Sequence, residues 1–407
     1  LRSVARRTLA DDLVYCWPFE MTIMPQTLPL ARLGVVGGGQ LARMLAPACN
    51  ALHVHMTILD PTHQSPAGQV AFDQIQGALD DPDALRQLCE QSDIVTFDLE
   101  NVGADILMTL ADQGMEMVPS PATIRLIQNK FEQKQHYRKK GIPTADFVDL
   151  GEDPAFADVL AFGLPCVQKT HTGGYDGRGV HVIRSADDWD RRLKTRSFLE
   201  QFVSGGTELA VMVARRESGE VVAYDPVEMV VDPDLHLLDY LLAPARVSED
   251  LRQQAQQLAK QTVESFGTSG LFGVELFINE VGELLVNEVA PRAHNSGHHT
   301  IEACVTSQFE NQLRACLNLP LGRTDLRGHA LTANLVGEPG FVGAPVIEGL
   351  DALSQIPDAH LHLYGKDECR PGRKMGHFTL LGEDHHELVQ RLESIRKVLM
   401  IRGDTPQ

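Results

Sequence analysis

The sequence predicts a chain of mixed α/β and α+β class, with a Rossmann-like N-terminal domain, a larger central domain and a small β-rich C-terminal domain. Three observations carry this. Strand-like and helix-like segments alternate over residues 31–120, which indicates an open, mostly parallel sheet. Residues 164–231 change to short β-branched runs separated by Gly-rich turns. The last 80 residues read as mixed short strands before a final helix near His386 to Leu399.

Ala31 to Val36 is an apolar run ending in Gly37-Gly38-Gly39, and Leu41 to Ala48 carries apolar residues at helical spacing. That is a strand, a tight glycine turn and a helix. A second strand is expected at His53 to Leu59, a helix at Asp83 to Glu90 and a buried strand at Ile94 to Phe97. Pro119 and Pro121 interrupt the chain, and one charged helix is expected from Thr123 to Lys140, stopped by Gly141 and Pro143. Ser248 is placed to cap a helix running to Phe266, with Glu249 and Asp250 in the first turn, where negative charge suits the dipole. A hairpin follows at 272–289, then a helix from Thr300 to Leu317. These elements divide the chain at 31–122, 123–320 and 321–407. Residues 1–30, with Arg2, Arg6 and Arg7 and no apolar run behind them, read as a disordered extension without catalytic role, with Met21 or Met24 as candidate starts.

Composition narrows the function. The net charge of -19 disfavours a nucleic-acid partner, because phosphate neutralisation needs surplus Lys and Arg. No apolar run approaches the roughly 18 residues of a membrane span. The seven cysteines form no Cys-x-x-Cys pair and read as reduced, buried small hydrophobes, which favours the cytoplasm. No His-x-x-x-His pair among the 16 histidines sits in a metal motif.

Four motifs carry chemistry. Gly37-x-Gly39-x-x-Ala42 fits a dinucleotide turn, and Asp60 follows where a ribose-binding acid would sit. Alone this reads as an NAD-dependent oxidoreductase, although the same turn serves other phosphates. Lys169-Thr-His-Thr-Gly-Gly-Tyr-Asp-Gly-Arg-Gly179 packs four glycines into seven residues, giving backbone N–H groups room to approach phosphate oxygens. It is no Walker A loop, and a flexible surface hairpin is the alternative. In the 272–289 hairpin, a two-residue turn at Val281-Gly282 would set Glu275 directly opposite Glu288. Facing like charges are destabilising, so a divalent cation between them is the natural resolution. A solvated exposed pair is the alternative, and a slip of one residue would separate them. Lastly, Lys366, Arg370, Arg373 and Lys374 concentrate positive charge in an acidic chain, as a substrate phosphate would require.

Together these pieces resemble the ATP-grasp family of carboxylate-amine ligases, and within it the carboxyaminoimidazole ribonucleotide synthases. The resemblance runs from about residue 31 to 400 through Gly37-Gly-Gly-Gln40-Leu41, Lys169 to Gly179, Asn287-Glu-Val-Ala-Pro-Arg292-Ala-His-Asn295-Ser-Gly-His298 and Arg370-Pro-Gly-Arg373-Lys374. It implies an ATP-grasp domain over 123–320 and a C-terminal domain that completes the substrate site. It implies that Lys130, Lys169, Gly173, Gly174, Gly177 and Asn287 hold the phosphates of ATP. Glu200, Gln201 and Val203 would line the adenine pocket, and Glu208 would hold the ribose. Glu275 and Glu288 would bind Mg²⁺. Gln40, Leu41, Glu100, Asn295, Ser296, Lys366, Arg373 and Lys374 would surround aminoimidazole ribonucleotide. Arg292 would stabilise a carboxyphosphate intermediate, while Asp176 orients or deprotonates the substrate amine and Tyr175 and Arg178 position the ribonucleotide.

This chain departs from the family's pattern at Ala42, usually Gly, at Asp98, usually Glu, at Met229, usually Asn or His, and at His299, usually Trp. The implied reaction joins bicarbonate to aminoimidazole ribonucleotide with ATP, in a stand-alone homodimer whose product passes to a separate mutase. No membrane or nucleic-acid partner is expected. Another ATP-grasp ligase and an NAD-dependent oxidoreductase are the rival readings.

Overall fold

The structure is a computed structural model that describes residues 30–151, 154–174, 179–205, 207–231 and 238–407. The expected extension up to residue 29, and Tyr175, Asp176, Gly177 and Arg178, lie outside the described residues.

The N-terminal unit follows the sequence pattern closely. Strand β1 (Ala31–Val36) leads through the glycine turn into helix α1 (Gln40–Ala51), then β2 (Val54–Asp60), β3 (Asp73–Gln76), α2 (Pro82–Gln91), β4 (Ile94–Phe97) and α3 (Ala104–Asp112). The sheet is parallel with order β3-β2-β1-β4. Such sheets need cover on both faces, and β1 accordingly buries Leu33 among residues of α1 and Val36 among residues of α2 and α3. Asp81 caps α2 by accepting from Asp83 N at 2.9 Å.

The single charged helix expected over Thr123 to Lys140 is two helices, α4 (Pro121–Gln128) and α5 (Lys130–Lys140). Asn129 breaks them. Its backbone is extended (φ -102°, ψ 100°), and its Oδ1 accepts from Phe131 N and Glu132 N at 3.1 and 3.2 Å. The break sets Lys130 at the head of α5, where the helix dipole disfavours a cation. A nearby anion must therefore compensate it.

Strands β5 (Phe147–Asp149), β6 (Cys166–Thr170), β7 (Val180–Ile183) and β8 (Ser197–Gln201) form an antiparallel sheet of order β5-β8-β6-β7. The largest sheet is built from β9 (Thr207–Arg215), β10 (Val221–Ala223), β11 (Val227–Val231), β12 (Leu238–Ala243), β13 (Gly270–Ile278) and β14 (Leu284–Ala290), and continues into the C-terminal segment. There β15 (His329–Val336) pairs with β12, while β16 (Phe341–Glu348) turns aside. Strands β17 (Ala359–Leu363) and β18 (Lys374–Gly382) complete the nine strands, and β19 (Met400–Pro406) pairs with β16. One sheet thus links the central and C-terminal segments. The C-terminal strands are longer than their sequence suggested: β15 and β16 have 8 residues and β18 has 9.

Helix Glu249–Ser265 is capped by Ser248 as expected, its hydroxyl accepting from Leu251 N at 3.3 Å. The helix expected over Thr300 to Leu317 is interrupted. Thr300–Ala303 ends early, and Gln308–Cys316 restarts where Ser307 accepts from Glu310 N at 3.1 Å. Among the described residues no helix is long and apolar enough to cross a membrane, and the six described cysteines are buried and free.

Candidate active site

A cavity of about 1350 Å³ gathers residues from all three segments. Glu100 comes from the chain after β4, Lys130 from α5, and Lys169, Gly173 and Gly174 from β6 and its loop. Glu200, Gln201 and Val203 come from β8 and its end, Glu208 from β9, and Glu275, Asn287 and Glu288 from the hairpin. Arg292 and Asn295 follow the hairpin, and Lys374 opens β18.

The hairpin geometry explains how two carboxylates meet. The sequence suggested a two-residue turn. The loop instead holds three residues, Glu280 to Gly282, with Gly282 N donating to Asn279 O at 2.9 Å and Asn279 N to Glu283 O at 3.0 Å. Gly282 takes φ +84°, which a side chain would strain. The longer loop shifts pairing by one residue, as in Leu276 with Val286. A β-bulge then restores the original offset, with Val274 opposite Val289. Glu275 therefore faces two consecutive residues, Asn287 and Glu288, and a bulge is a recurrent device for aiming side chains into a site. Asn287 Nδ2 donates to Glu275 Oε2 at 3.3 Å.

The electrostatics separate the two glutamates. Burial, then the Glu288 and Glu208 charges, push the Glu275 carboxyl upward. Burial also works against ionised Glu288, but Lys130 and Lys169 outweigh it and hold Glu288 well below the usual carboxylate range. Lys130 forms an ion pair with Glu288, which answers its unfavourable place on α5. Lys169 donates to Asn287 Oδ1 at 2.9 Å and pairs with Glu200.

Glu200 lines the cavity beside Gln201 and Val203. Its side chain is 3% exposed, and its carboxylate lies between Lys134 and Lys169. Burial pulls the Lys134 ammonium down to about 8 despite Glu200. Lys134 escaped the sequence reading, although it lies four residues after Lys130, on the same helical face.

Arg292 Nε donates to Glu100 Oε2 at 2.7 Å. His294, also missed, lines the cavity with Nε2 at 3.4 Å from Glu275 Oε1. Burial, then Arg292 and Lys374, pull it down to about 4, so it is neutral at neutral pH. Its position within the Asn287 to His298 run was the available signal. Asn295 also lines the cavity, and its buried Nδ2 has no partner among the described residues. Buried donors are ordinarily paired, so this one suits a ligand acceptor.

Five expected substrate contacts do not line the cavity. Leu41 is a core residue, 9% exposed, packed with β1 and β2, so its side chain serves the fold. Ser296 is 1% exposed and hydrogen-bonds His294 Nδ1 at 2.8 Å, orienting that ring. Gln40 heads α1. Lys366 donates to the Lys374 backbone carbonyl at 2.6 Å, and Arg373 donates to the Glu368 carbonyl at 2.7 Å. Of the departures, Met229 joins Val231, Leu238 and Phe277 in the cavity lining and offers no strong polar group. His299 is buried away from it, with Nδ1 at 3.1 Å from Ser296 O.

The glycine turn overturns the oxidoreductase reading. The positions where a pyrophosphate would meet backbone N–H groups are filled from within. Asp98 accepts from Gly39 N at 2.9 Å and Ala42 N at 2.6 Å, and Asp60 accepts from Gly38 N at 2.8 Å. A Cβ on Gly39 would lie 2.5 Å from Asp98 Oδ2, so glycine here admits a carboxylate. Asp98→Ala should destabilise the fold by about 2–6 kcal/mol, two donors losing their acceptor at about 1–3 each. An unchanged urea midpoint would contradict this account.

Cradled phosphate donors, a hairpin with paired carboxylates and two flanking sheets define an ATP-grasp ligase, and comparison with known proteins agrees. An ATP-grasp domain matches residues 135–309, a ribonucleotide synthetase preATP-grasp domain matches 30–128, and a phosphoribosylaminoimidazole carboxylase C-terminal domain matches 330–391. The phosphoribosylaminoimidazole carboxylase of Schizosaccharomyces pombe is 38% identical over 90% of this chain and 68% of its own length. The crystal structure of N5-carboxyaminoimidazole ribonucleotide synthetase from Thermotoga maritima is 41% identical, covers 92% of this chain and 100% of that one, and has a TM-score of 0.85. An Aspergillus clavatus N5-carboxyaminoimidazole synthase, solved with ADP and aminoimidazole ribonucleotide, is 34% identical over 90% of this chain and 98% of that one, with a TM-score of 0.82. The chain belongs to the N5-carboxyaminoimidazole ribonucleotide synthase family.

Proposed function

We propose that this protein carboxylates the amine of 5-aminoimidazole ribonucleotide with bicarbonate and ATP, giving 5-(carboxyamino)imidazole ribonucleotide, ADP and phosphate in de novo purine biosynthesis. The observation that carries this reading is a single cavity with two sets of donors. Lys130, Lys169 and the Gly173-Gly174 loop form one set, suited to the phosphates of ATP, and Arg292, His294, Asn295 and Lys374 form a second.

Bicarbonate attacks the γ-phosphorus of ATP in line, and ADP leaves, giving carboxyphosphate. Lys130 and Lys169 offset the charge on the phosphate oxygens. Arg292, held by Glu100, faces the carboxyphosphate, whose carboxyl carbon passes to the substrate amine with release of phosphate. In this reading Asp176 takes or orients the amine proton, and Tyr175 and Arg178 position the ribonucleotide. The glycine loop excludes water from the intermediate.

The donor set fits Mg²⁺. Among the described residues no cluster of three or more His, Cys, Asp or Glu could cage a metal, whereas Mg²⁺ takes one or two carboxylates plus substrate phosphates. Glu275 and Glu288 supply those carboxylates; Glu275 is pushed upward by burial first and then by the Glu288 and Glu208 charges, which a cation would offset. Bound Mg²⁺ would neutralise charge on the transferring phosphoryl group. The resemblance further supports a cytoplasmic homodimer.

The deciding experiment is ADP release with bicarbonate, with and without aminoimidazole ribonucleotide. Turnover should depend on all three substrates. ADP release indifferent to the ribonucleotide but stimulated by another amine would favour another ATP-grasp ligase.

A further inference from the structure

We infer that Lys134 is a positioning residue for ATP: from outside the cavity it shares the Glu200 carboxylate with Lys169, leaving the Lys169 charge available to the phosphates. The inference rests on the ATP-binding reading above.

Lys134 is 3% exposed on its side chain and does not line the cavity, whereas Lys169 and Glu200 both do. Its ammonium has three partners: Glu200 Oε1, Thr144 Oγ1 at 2.6 Å and Val286 O at 3.2 Å. These contacts hold the Lys134 ammonium within the protein, off the cavity wall. Glu200 divides its oxygens, Oε1 to Lys134 and Oε2 to Lys169. Around the phosphate end, three ammonium groups (Lys130, Lys134 and Lys169) face the two carboxylates that pair with them, Glu200 and Glu288. Without Lys134, Glu200 lies wholly upon Lys169, opposing its contact with phosphate.

A merely structural Lys134 would tie α5 to Thr144 and β14 and act through stability alone. The two roles separate in a charge-balanced series: wild type, Lys134→Met, Glu200→Gln and the double variant. Each is assayed for ADP release against ATP concentration and for melting temperature. Lys134→Met should raise KM for ATP about tenfold or more, the scale of one charge-assisted hydrogen bond. The double variant, in which Lys169 no longer faces an uncompensated carboxylate, should match Glu200→Gln within about threefold in KM for ATP, whatever its melting temperature.

An unchanged KM for ATP in folded Lys134→Met would overturn the inference. So would a double variant whose KM for ATP exceeds that of Glu200→Gln by about tenfold. If Lys134→Met does not fold, the second comparison decides alone. Wild-type turnover in the same assay tests the ATP reading independently: its absence sinks that reading, while normal wild-type turnover with an indifferent Lys134→Met sinks only this one.

Discussion

Glu288→Gln should abolish turnover and leave the fold standing. The side chain is 37% exposed and lines the cavity, and it pairs with Lys130 while the Lys169 charge lies nearby, so no core packing depends on it. Gln preserves the shape and can still accept from Lys130. What disappears is a full negative charge, held ionised by two lysines, at the point where a cation would bridge protein and triphosphate. The partial compensation is foreseeable. With Glu288 neutral, Glu275 loses a cause of its upward push and ionises more readily, so some metal affinity should survive. The decisive quantity is therefore kcat at saturating Mg²⁺, where a deficit in affinity alone would vanish. A loss of about 100-fold, roughly 2.7 kcal/mol, is expected there. The melting temperature without ligand should stay near wild type, and the rise produced by Mg²⁺ with ADP should shrink. Retention of more than about a tenth of kcat, a deficit below ~1.4 kcal/mol, would remove Glu288 from the metal role.

The parts of the fold that were legible in the sequence are those fixed by local pattern. The β1 to α1 turn was readable because apolar periodicity and glycine coincide. Its occupant was not: nothing local says that Asp98, 56 residues beyond Ala42, will take the anion position. Asn129 was hidden within a charged stretch where a helix would run uninterrupted, yet its side chain competes for backbone donors and starts α5 anew. The hairpin was legible as a hairpin. Its register combined two departures, a longer loop and a bulge, and alternating apolar residues read the same with or without both. Within the site, the sequence pointed to most of the Glu, Lys and Arg side chains that line the cavity but not how they pair. That Glu200 shares its carboxylate between Lys169 and a buried partner, Lys134, was not legible, because Lys134 lies 66 residues away. Lys366 and Arg373 look equivalent to Lys374 in a basic run, but the turn at Pro371-Gly372 sends Arg373 toward Glu368 and only Lys374 to the cavity wall.

That distinction sharpens the second large effect. Lys374→Ala should raise KM for aminoimidazole ribonucleotide far more than KM for ATP. In the proposed reading the ATP phosphates already have Lys130, Lys169 and the glycine loop, and Lys169 is tethered by Glu200 and Asn287. The ribonucleotide phosphate is a separate dianion that needs its own cation. Lys374 lies with Arg292 and His294 along the cavity wall, close enough that its charge helps hold His294 neutral. Its backbone carbonyl, which accepts from Lys366, survives the substitution, so the local turn should persist. A lost charge-assisted hydrogen bond is worth about 1.5–3 kcal/mol, or roughly 10–150-fold in KM for the ribonucleotide. KM for ATP should move by less than about threefold, under 0.7 kcal/mol. Added salt should weaken ribonucleotide binding in the wild type and do so less in the variant, because one screened charge has gone. A rise in KM for ATP with the ribonucleotide unaffected would place Lys374 at the nucleotide end and reverse the assignment of the two halves of the cavity.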